Sequence, residues 1–226
     1  MPYCTRCGAK LPEDEEARFC PNCGAPIPRE MHRRVNLSGE KRKKSYIALG
    51  KSRFLLVLAV FFLSLIVTSA GALSGIDESQ AHLVAENFEK MEDVLHEFGV
   101  QMIFGNNMMY CLLMFVPFVG PIGGFYVLYS TGKVLAALSY VLGADPLVMF
   151  LSLLIYPHAW LEYISYSIAT SEGILLSFCI WKYKLRGLKA EAINVAKYIS
   201  ICAVLLLLGA AIEMALITLA SSSVIP

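Results

Sequence analysis

Long uninterrupted apolar runs follow residue 53, and they leave one class of fold open to the chain. The runs cover residues 54–73, 102–119, 125–142, 147–181 and 198–220. A helix needs about 20 apolar residues to cross a ~30 Å hydrocarbon core. Hydrophobic residues make up 57% of the chain and charged residues 16%, against about 45–50% and about 25% in soluble domains. The sequence therefore predicts an all-α polytopic membrane domain over residues 54–226, a five-span helical bundle with one broken helix.

The fourth run, 147–181, holds 35 residues and contains Pro157. Proline lacks a backbone donor and fixes φ, so it suits the first turn of a helix and not its middle. We therefore expect a break near Tyr156, with residues 147–156 forming a short or re-entrant half-helix. Two full crossings would place the basic residues after Trp181 outside, whereas a single broken crossing keeps them inside.

Charge segregation predicts the orientation. Residues 1–53 hold 12 of the 19 lysines and arginines, and Asp77 and Glu78 follow the first span. By the positive-inside rule the N-terminus is cytoplasmic and, after five crossings of the cell membrane, the C-terminus is outside. No apolar signal-peptide core is visible at the N-terminus. Residues 79–98 have the apolar spacing of an external amphipathic helix, which we interpret as a connector resting on the bundle or on the membrane surface.

Residues 1–28 contain two Cys-x-x-Cys-Gly sequences. Cys4 and Cys7 precede Gly8, and Cys20 and Cys23 precede Gly24. This spacing predicts a zinc ribbon with one structural Zn²⁺ per chain, all four ligand positions being filled by Cys. Two disulfides or a redox Cys-x-x-Cys are the alternatives. Because no ligand position stays open, the site predicts partner binding and not catalysis.

A basic linker, residues 29–53, joins the ribbon to the first span. Its positive charges can serve only to set the orientation of the first span in the membrane. It can also contact anionic lipid head groups, at about 1 kcal/mol per basic residue. Nucleic-acid binding is disfavoured, because no aromatic residues interleave the basic ones. The candidate lipid contacts are Arg33, Arg34, Lys41, Arg42, Lys43 and Lys44.

Polar residues inside the apolar runs are functional candidates, because an ionisable side chain within a membrane is costly. His158 and Glu162 are four apart and share a helix face. Lys133 lies about midway along the third run, so we expect these three residues to form one buried polar cluster. They can equally form structural hydrogen bonds between helices, each of which stabilises a membrane bundle by about 0.6 kcal/mol. Further candidates are Asn106, Asn107, Glu172 and Glu213.

The pattern Phe104-Gly-Asn106-Asn107, with Gly132 and Pro157-His158-x-x-x-Glu162, resembles the stage II sporulation protein M family. The similarity covers roughly residues 50–220, and Ala159 replaces the glycine usual in the Pro-His motif. The N-terminal ribbon is similar to that of an archaeal-looking branch. The resemblance implies the fold and a membrane scaffold that works with partner proteins. It implies no hydrolase site and supplies no catalytic residue.

Two functions therefore compete. The first is a membrane scaffold that recruits an unknown cytoplasmic protein through its ribbon, with homo-oligomers possible. The second is a small-solute or ion permease that uses the polar residues at the broken fourth span. An intramembrane metalloprotease is disfavoured, because the His-Glu-x-x-His pattern and a third ligand are missing. We therefore predict that the chain is not an enzyme.

Overall fold

A computed structural model describes residues 3–11, 18–26, 52–183 and 185–223. The predicted basic linker lies outside the described residues except for its last two, and so do its candidate lipid contacts. The chain divides into two compact units, Met1–Phe54 and Leu55–Pro226. We describe each unit by itself, the second one first.

The described chain after residue 51 contains seven helices. They are α1 (Ser52–Leu73), α2 (Glu78–Phe98), α3 (Val100–Met114), α4 (Val119–Leu142), α5 (Pro146–Leu153), α6 (Pro157–Tyr183) and α7 (Leu185–Ser223). Four segments are long and apolar enough to cross a membrane: Ser52–Leu73, Val119–Leu142, Pro157–Lys182 and Glu191–Ala220. The predicted fold class, an all-α polytopic membrane bundle, is confirmed.

The predicted second span, 102–119, corresponds to α3 and the turn that follows it. The 15 residues of α3 reach about 22 Å at 1.5 Å per residue, less than a ~30 Å core. The helix stops because Pro117 disfavours helical geometry in the residue before it and has no N–H to donate. Phe118 then adopts φ 66° and ψ −56°, close to the rare γ-turn, with the Val119 N–H donating to the Pro117 carbonyl at 2.8 Å.

The start of α4 differs from the sequence prediction. Residues 120–124 were expected to form a tight turn before a span at 125–142, but the helix begins at Val119. Pro121 lies in the first turn of the helix, where its missing N–H has no intrahelical partner to lose. The helix therefore begins six residues earlier than predicted, and Lys133 lies about 21 Å from its start.

The helix break at Pro157 is present, and hydrogen bonds cap both ends of α5, the short helix that precedes it. The Asp145 carboxylate accepts hydrogen bonds from the Leu147 and Val148 N–H groups, at 2.7 and 3.3 Å, and Pro146 occupies the first turn of α5. After Leu153 the chain turns for three residues and restarts at Pro157. The indole Nε1–H of Trp160 donates to the Leu154 carbonyl at 2.8 Å, which satisfies a backbone acceptor left at the break.

The core of the bundle lies around α6, the most buried of the four long apolar segments. It joins residues of α3, α4, α6 and α7 and the turn after α3: Cys111, Met114, Phe115, Leu128, Tyr163, Tyr166, Ala169, Cys202 and Leu206. The helices α1 and α4 cross where Gly71 faces Gly132. A Cβ on Gly132 would lie 2.7 Å from the Ala72 nitrogen and 2.8 Å from the Gly71 Cα, so neither helix can approach as closely with a larger residue there.

The amphipathic helix α2 packs on the bundle. Ala81 and Ala85 are buried on its packed face, and it contacts α4 and α3. Near its start, His82 makes an edge contact with Tyr140 of α4, with ring centroids 6.5 Å apart. At its other end, Gly99 lies close to Met214 of α7. The helix therefore extends along the bundle from the last turns of α4 to the last third of α7.

Candidate metal centre and intramembrane polar site

The ribbon consists of two copies of one turn. In the first, the Cys4 N–H donates to the Ala9 carbonyl at 2.8 Å and the Gly8 N–H donates to the Cys4 carbonyl at 2.9 Å. In the second, the Cys20 N–H donates to the Ala25 carbonyl at 2.8 Å and the Gly24 N–H donates to the Cys20 carbonyl at 2.9 Å. Gly8 and Gly24 have φ values of 70° and 68°, a conformation that glycine adopts without strain. Each turn therefore needs the Cys-x-x-Cys-Gly spacing, which places its two thiols on the same side, where they can bind one metal ion.

The four sulfurs form a metal-binding arrangement. The Cys4 and Cys23 Sγ atoms are 3.6 Å apart, those of Cys7 and Cys20 are 3.7 Å apart, and all four lie within 4.8 Å of one another. A tetrahedral Zn²⁺ site with Zn–S bonds of about 2.3 Å places its sulfurs about 3.8 Å apart. Disulfide sulfurs are about 2.05 Å apart. The four cysteines are free, so the disulfide alternative is not what the structure contains.

The electrostatics of the thiols also fit a bound cation. The backbone N–H of Ala9 and the Asn22 side chain stabilise the Cys7 thiolate and lower its pKa to about 6. For Cys23, the backbone N–H of Ala25 lowers the pKa, but hydrogen bonding with Cys7, burial and the other thiols outweigh this and raise it to about 12. Four neighbouring thiols cannot all ionise without a positive charge between them, which a metal ion supplies when bound.

In the membrane domain, Glu162 has a polar partner on another helix. The Asn107 side-chain amide on α3 donates to Glu162 Oε1 on α6 at 2.6 Å. Glu213 of α7 lies near enough for its carboxyl group to interact electrostatically with that of Glu162. Three helices thus contribute to one polar site near the start of α6.

Lys133 and His158 have surroundings different from those predicted. The Lys133 ammonium donates to the Gly75 carbonyl at 2.8 Å, just past the end of α1, instead of pairing with Glu162. The earlier start of α4 and the α1–α4 crossing at Gly132 place Lys133 beside α1. His158 stacks on Tyr156, with ring centroids 5.6 Å apart, and its buried Nδ1 has no hydrogen-bond partner among the described residues. The predicted pairing of Lys133 with Glu162 is therefore wrong, because Lys133 bonds to Gly75 and Glu162 accepts its hydrogen bond from Asn107.

The other candidates lie apart from this site or contribute little to it. Asn106 is exposed, one residue from the bonded Asn107. Glu172 is buried on α6, with 2% of its surface exposed, ten residues after Glu162. Tyr166 was not predicted as a candidate; it is 7% exposed and interacts electrostatically with Glu162, Glu213 and Tyr110. Its spacing of four residues from Glu162 placed it on the same helix face, but a tyrosine in an apolar run usually indicates packing.

Comparison with protein-family models gives two matches. The family described as Stage II sporulation protein M matches residues 54–218, and a zinc-ribbon domain matches residues 3–27. Comparison with curated proteins gives no match. Comparison with solved structures gives none either.

Proposed function

The chain belongs to the Stage II sporulation protein M family, and we propose that it is a membrane scaffold whose zinc ribbon recruits a cytoplasmic partner protein. The observation that carries this proposal is a pair of exposed aromatic side chains on the ribbon. Tyr3 precedes Cys4 and Phe19 precedes Cys20, and their side chains are 61% and 63% exposed. Exposed aromatic residues are typical anchors of protein interfaces.

The metal site supports a binding role and not a catalytic one. Four thiolates saturate a tetrahedral zinc ion, so no position remains for water or substrate. The ribbon has few buried apolar residues, Cys4, Leu11, Cys20 and Ala25, so the ion supplies much of its folding free energy. One Zn²⁺ per chain would then hold Tyr3 and Phe19 in fixed positions for a partner.

The proposed placement is the cell membrane with the ribbon in the cytoplasm and the C-terminus outside. Support comes from the basic residues before α1 and after α6, and from the acidic residues of α2. The basic linker would contact anionic lipid head groups on the cytoplasmic side.

The test is co-purification with the full-length protein carrying Tyr3→Ala and Phe19→Ala together. We expect the variant to keep its zinc and to lose the partner, because it changes the anchors and leaves the four ligands intact. Lys10→Ala, an exposed change in the same ribbon, is the matched control and should keep the partner. Equal recovery of the same proteins with both variants would contradict the proposal.

A permease is the second candidate, and the Asn107–Glu162 hydrogen bond with Glu213 nearby favours it. Transporters often place polar side chains beside a broken helix in the membrane. The test is solute or ion flux into liposomes that contain the purified protein. Flux that disappears with Glu162→Gln would favour transport, and its absence for every solute tested would leave the scaffold as the only candidate.

A further inference from the structure

The four sulfur ligands of the ribbon differ in how easily solvent reaches them. Cys7 is exposed and Cys23 is half-buried, whereas Cys4 and Cys20 are buried, with 7% and 2% of their surface exposed. Oxidants attack a cysteine according to its thiolate character and its exposure. All four ligands are thiolates when they bind a metal, so exposure is what distinguishes Cys7 from the other three.

The three cysteines of the membrane domain do not compete with Cys7 for an oxidant. Cys111 and Cys202 are buried in the core of the bundle, and Cys179 is half-buried on α6. All seven cysteines of the chain lie within the described residues, and Cys7 is the exposed one. An oxidant dissolved in the surrounding water therefore meets the Cys7 sulfur first.

A second sulfur that can react with an oxidised Cys7 lies across the ribbon. The Sγ atoms of Cys7 and Cys20 are 3.7 Å apart, so the short distance joins one Cys-x-x-Cys turn to the other. A cysteine sulfenic acid condenses with a nearby thiolate to form a disulfide. Cys20 is therefore close enough to complete a disulfide with Cys7, while its own burial protects it from direct attack.

We propose that the ribbon is a peroxide-sensitive switch in which Cys7 is oxidised first and Cys20 then forms a disulfide with it. In the first step the Cys7 sulfur forms an S–O bond, the O–O bond of hydrogen peroxide breaks, and hydroxide leaves. The sulfur is oxidised to a sulfenic acid and the peroxide is reduced. In the second step the Cys20 thiolate attacks the Cys7 sulfur, the S–S bond forms, the S–O bond breaks, and a second hydroxide leaves. Two protons from solvent convert both hydroxides to water.

The disulfide removes two of the four metal ligands. Cys4 and Cys23 alone are too few to retain Zn²⁺ in a tetrahedral site. The ribbon buries few apolar residues, so metal binding supplies much of its folding free energy. Oxidation therefore releases Tyr3 and Phe19 from their fixed positions, since each directly precedes a ligand.

The effect of the switch on a partner rests on the proposed function, in which these two aromatic side chains anchor a cytoplasmic protein. Disulfides in the cytosol are usually transient and serve in redox sensing, which suits a reversible release. The chemistry of the ribbon does not depend on the partner, so it is tested without one.

The test is addition of hydrogen peroxide to the purified full-length protein loaded with zinc. A zinc-binding dye measures the released Zn²⁺, dimedone traps the sulfenic acid, and mass spectrometry of the alkylated, unreduced protein locates the disulfide. We expect one zinc released per chain, a dimedone adduct at Cys7, and peptides linked through Cys7 and Cys20. Dithiothreitol followed by zinc should restore the metal content.

Two variants separate the exposed sulfur from the metal site as a whole. Cys7→His and Cys23→His each leave three cysteines and one histidine, a ligand set that binds zinc. Cys7→His removes the exposed sulfur and should release zinc about tenfold more slowly than the wild type. Cys23→His is the matched control, which keeps Cys7 and Cys20 and should release zinc no more slowly than the wild type. If either variant takes up no zinc, the position of the dimedone adduct in the wild type decides.

Several results would overturn the switch. They are zinc retained in excess peroxide, a sulfenic acid that forms first at a cysteine other than Cys7, a first disulfide other than Cys7–Cys20, and equal release rates from the two histidine variants. A partner that stays bound while the zinc leaves and the Cys7–Cys20 disulfide forms would support the switch and contradict the proposed function.

Discussion

Lys133 illustrates how a single charged side chain in a membrane helix can be satisfied without an acidic partner. Its ammonium donates to the Gly75 carbonyl at 2.8 Å, at the C-terminal end of α1. The last carbonyls of a helix lack intrahelical donors and carry partial negative charge, which a lysine compensates well. The sequence predicted Lys133 about midway along its span, whereas its ammonium lies just past the end of α1. A backbone acceptor on another helix leaves no residue-type signal in the sequence.

The first prediction tests whether Lys133 and Glu162 stabilise the bundle independently of each other. Lys133→Met and Glu162→Gln should each lower the free energy of unfolding in detergent, the first by about 1 kcal/mol because the end of α1 loses its donor. The double variant should lose the sum of the two within about 0.5 kcal/mol, as independent sites do. Thermal or denaturant unfolding measures all three, and clear non-additivity would indicate that the two side chains interact after all.

The second prediction concerns the ribbon ligands. The wild-type protein should carry about one zinc per chain, and Cys20→Ser should remove it because three thiolates and a hydroxyl bind zinc poorly. Elemental analysis of the purified protein gives the ratio. Cys179→Ser, a change outside the ribbon, should retain the metal. Acidification should also release it, because protons compete for the thiolates; a metal content unaffected by Cys20→Ser would refute the ligand set.

At the scale of the helices, apolar length and proline position determined most of what could be predicted. The break before Pro157 followed from the missing backbone donor, and α5 and α6 lie on its two sides. The start of α4 could not be predicted in the same way. Gly120 and Pro121 are typical of a turn, yet Pro121 is also suited to the first turn of a helix, and only the contacts with α3 and α6 decide between the two.

The third prediction tests the closest helix contact. Gly132→Leu should destabilise the membrane domain by about 1–3 kcal/mol, because the side chain has no room against α1. Gly105→Leu is the matched control, since a Cβ on Gly105 meets no atom within 4 Å. Unfolding of both variants in the same detergent measures the difference. Equal stability of the two would show that α1 and α4 do not cross at Gly132.

For the whole molecule, the sequence predicted a polytopic bundle with a metal-binding ribbon, and the family matches agree. The hydrophobic runs and the four cysteines each require a specific structure, so both are visible without tertiary information. The polar site was only partly predictable. Glu162 and Asn107 were both candidates, but their pairing across 55 residues depends on how α3 packs against α6.

The fourth prediction tests the proposed orientation. On a background without native cysteines, a single cysteine at Glu86 should react with a membrane-impermeant thiol reagent added outside intact cells. A cysteine at Lys182 should react only after the cells are opened, because the proposed orientation puts the basic segment in the cytoplasm. Both positions are exposed, so access and not burial decides the result. Reaction at position 182 in intact cells would show that the end of α6 lies outside the cell and would contradict the proposed orientation.

Photo-crosslinking from the ribbon tests recruitment, the central claim, most directly. A photoreactive amino acid replaces Phe19 in the full-length protein, and irradiation of intact cells captures whatever lies against it. We predict a defined adduct at position 19 that disappears with Cys20→Ser, and none at the exposed position 86 of α2. An adduct of twice the chain mass would identify a second copy of this protein as the partner. No adduct at position 19, or one that survives loss of the metal, would contradict recruitment through the folded ribbon.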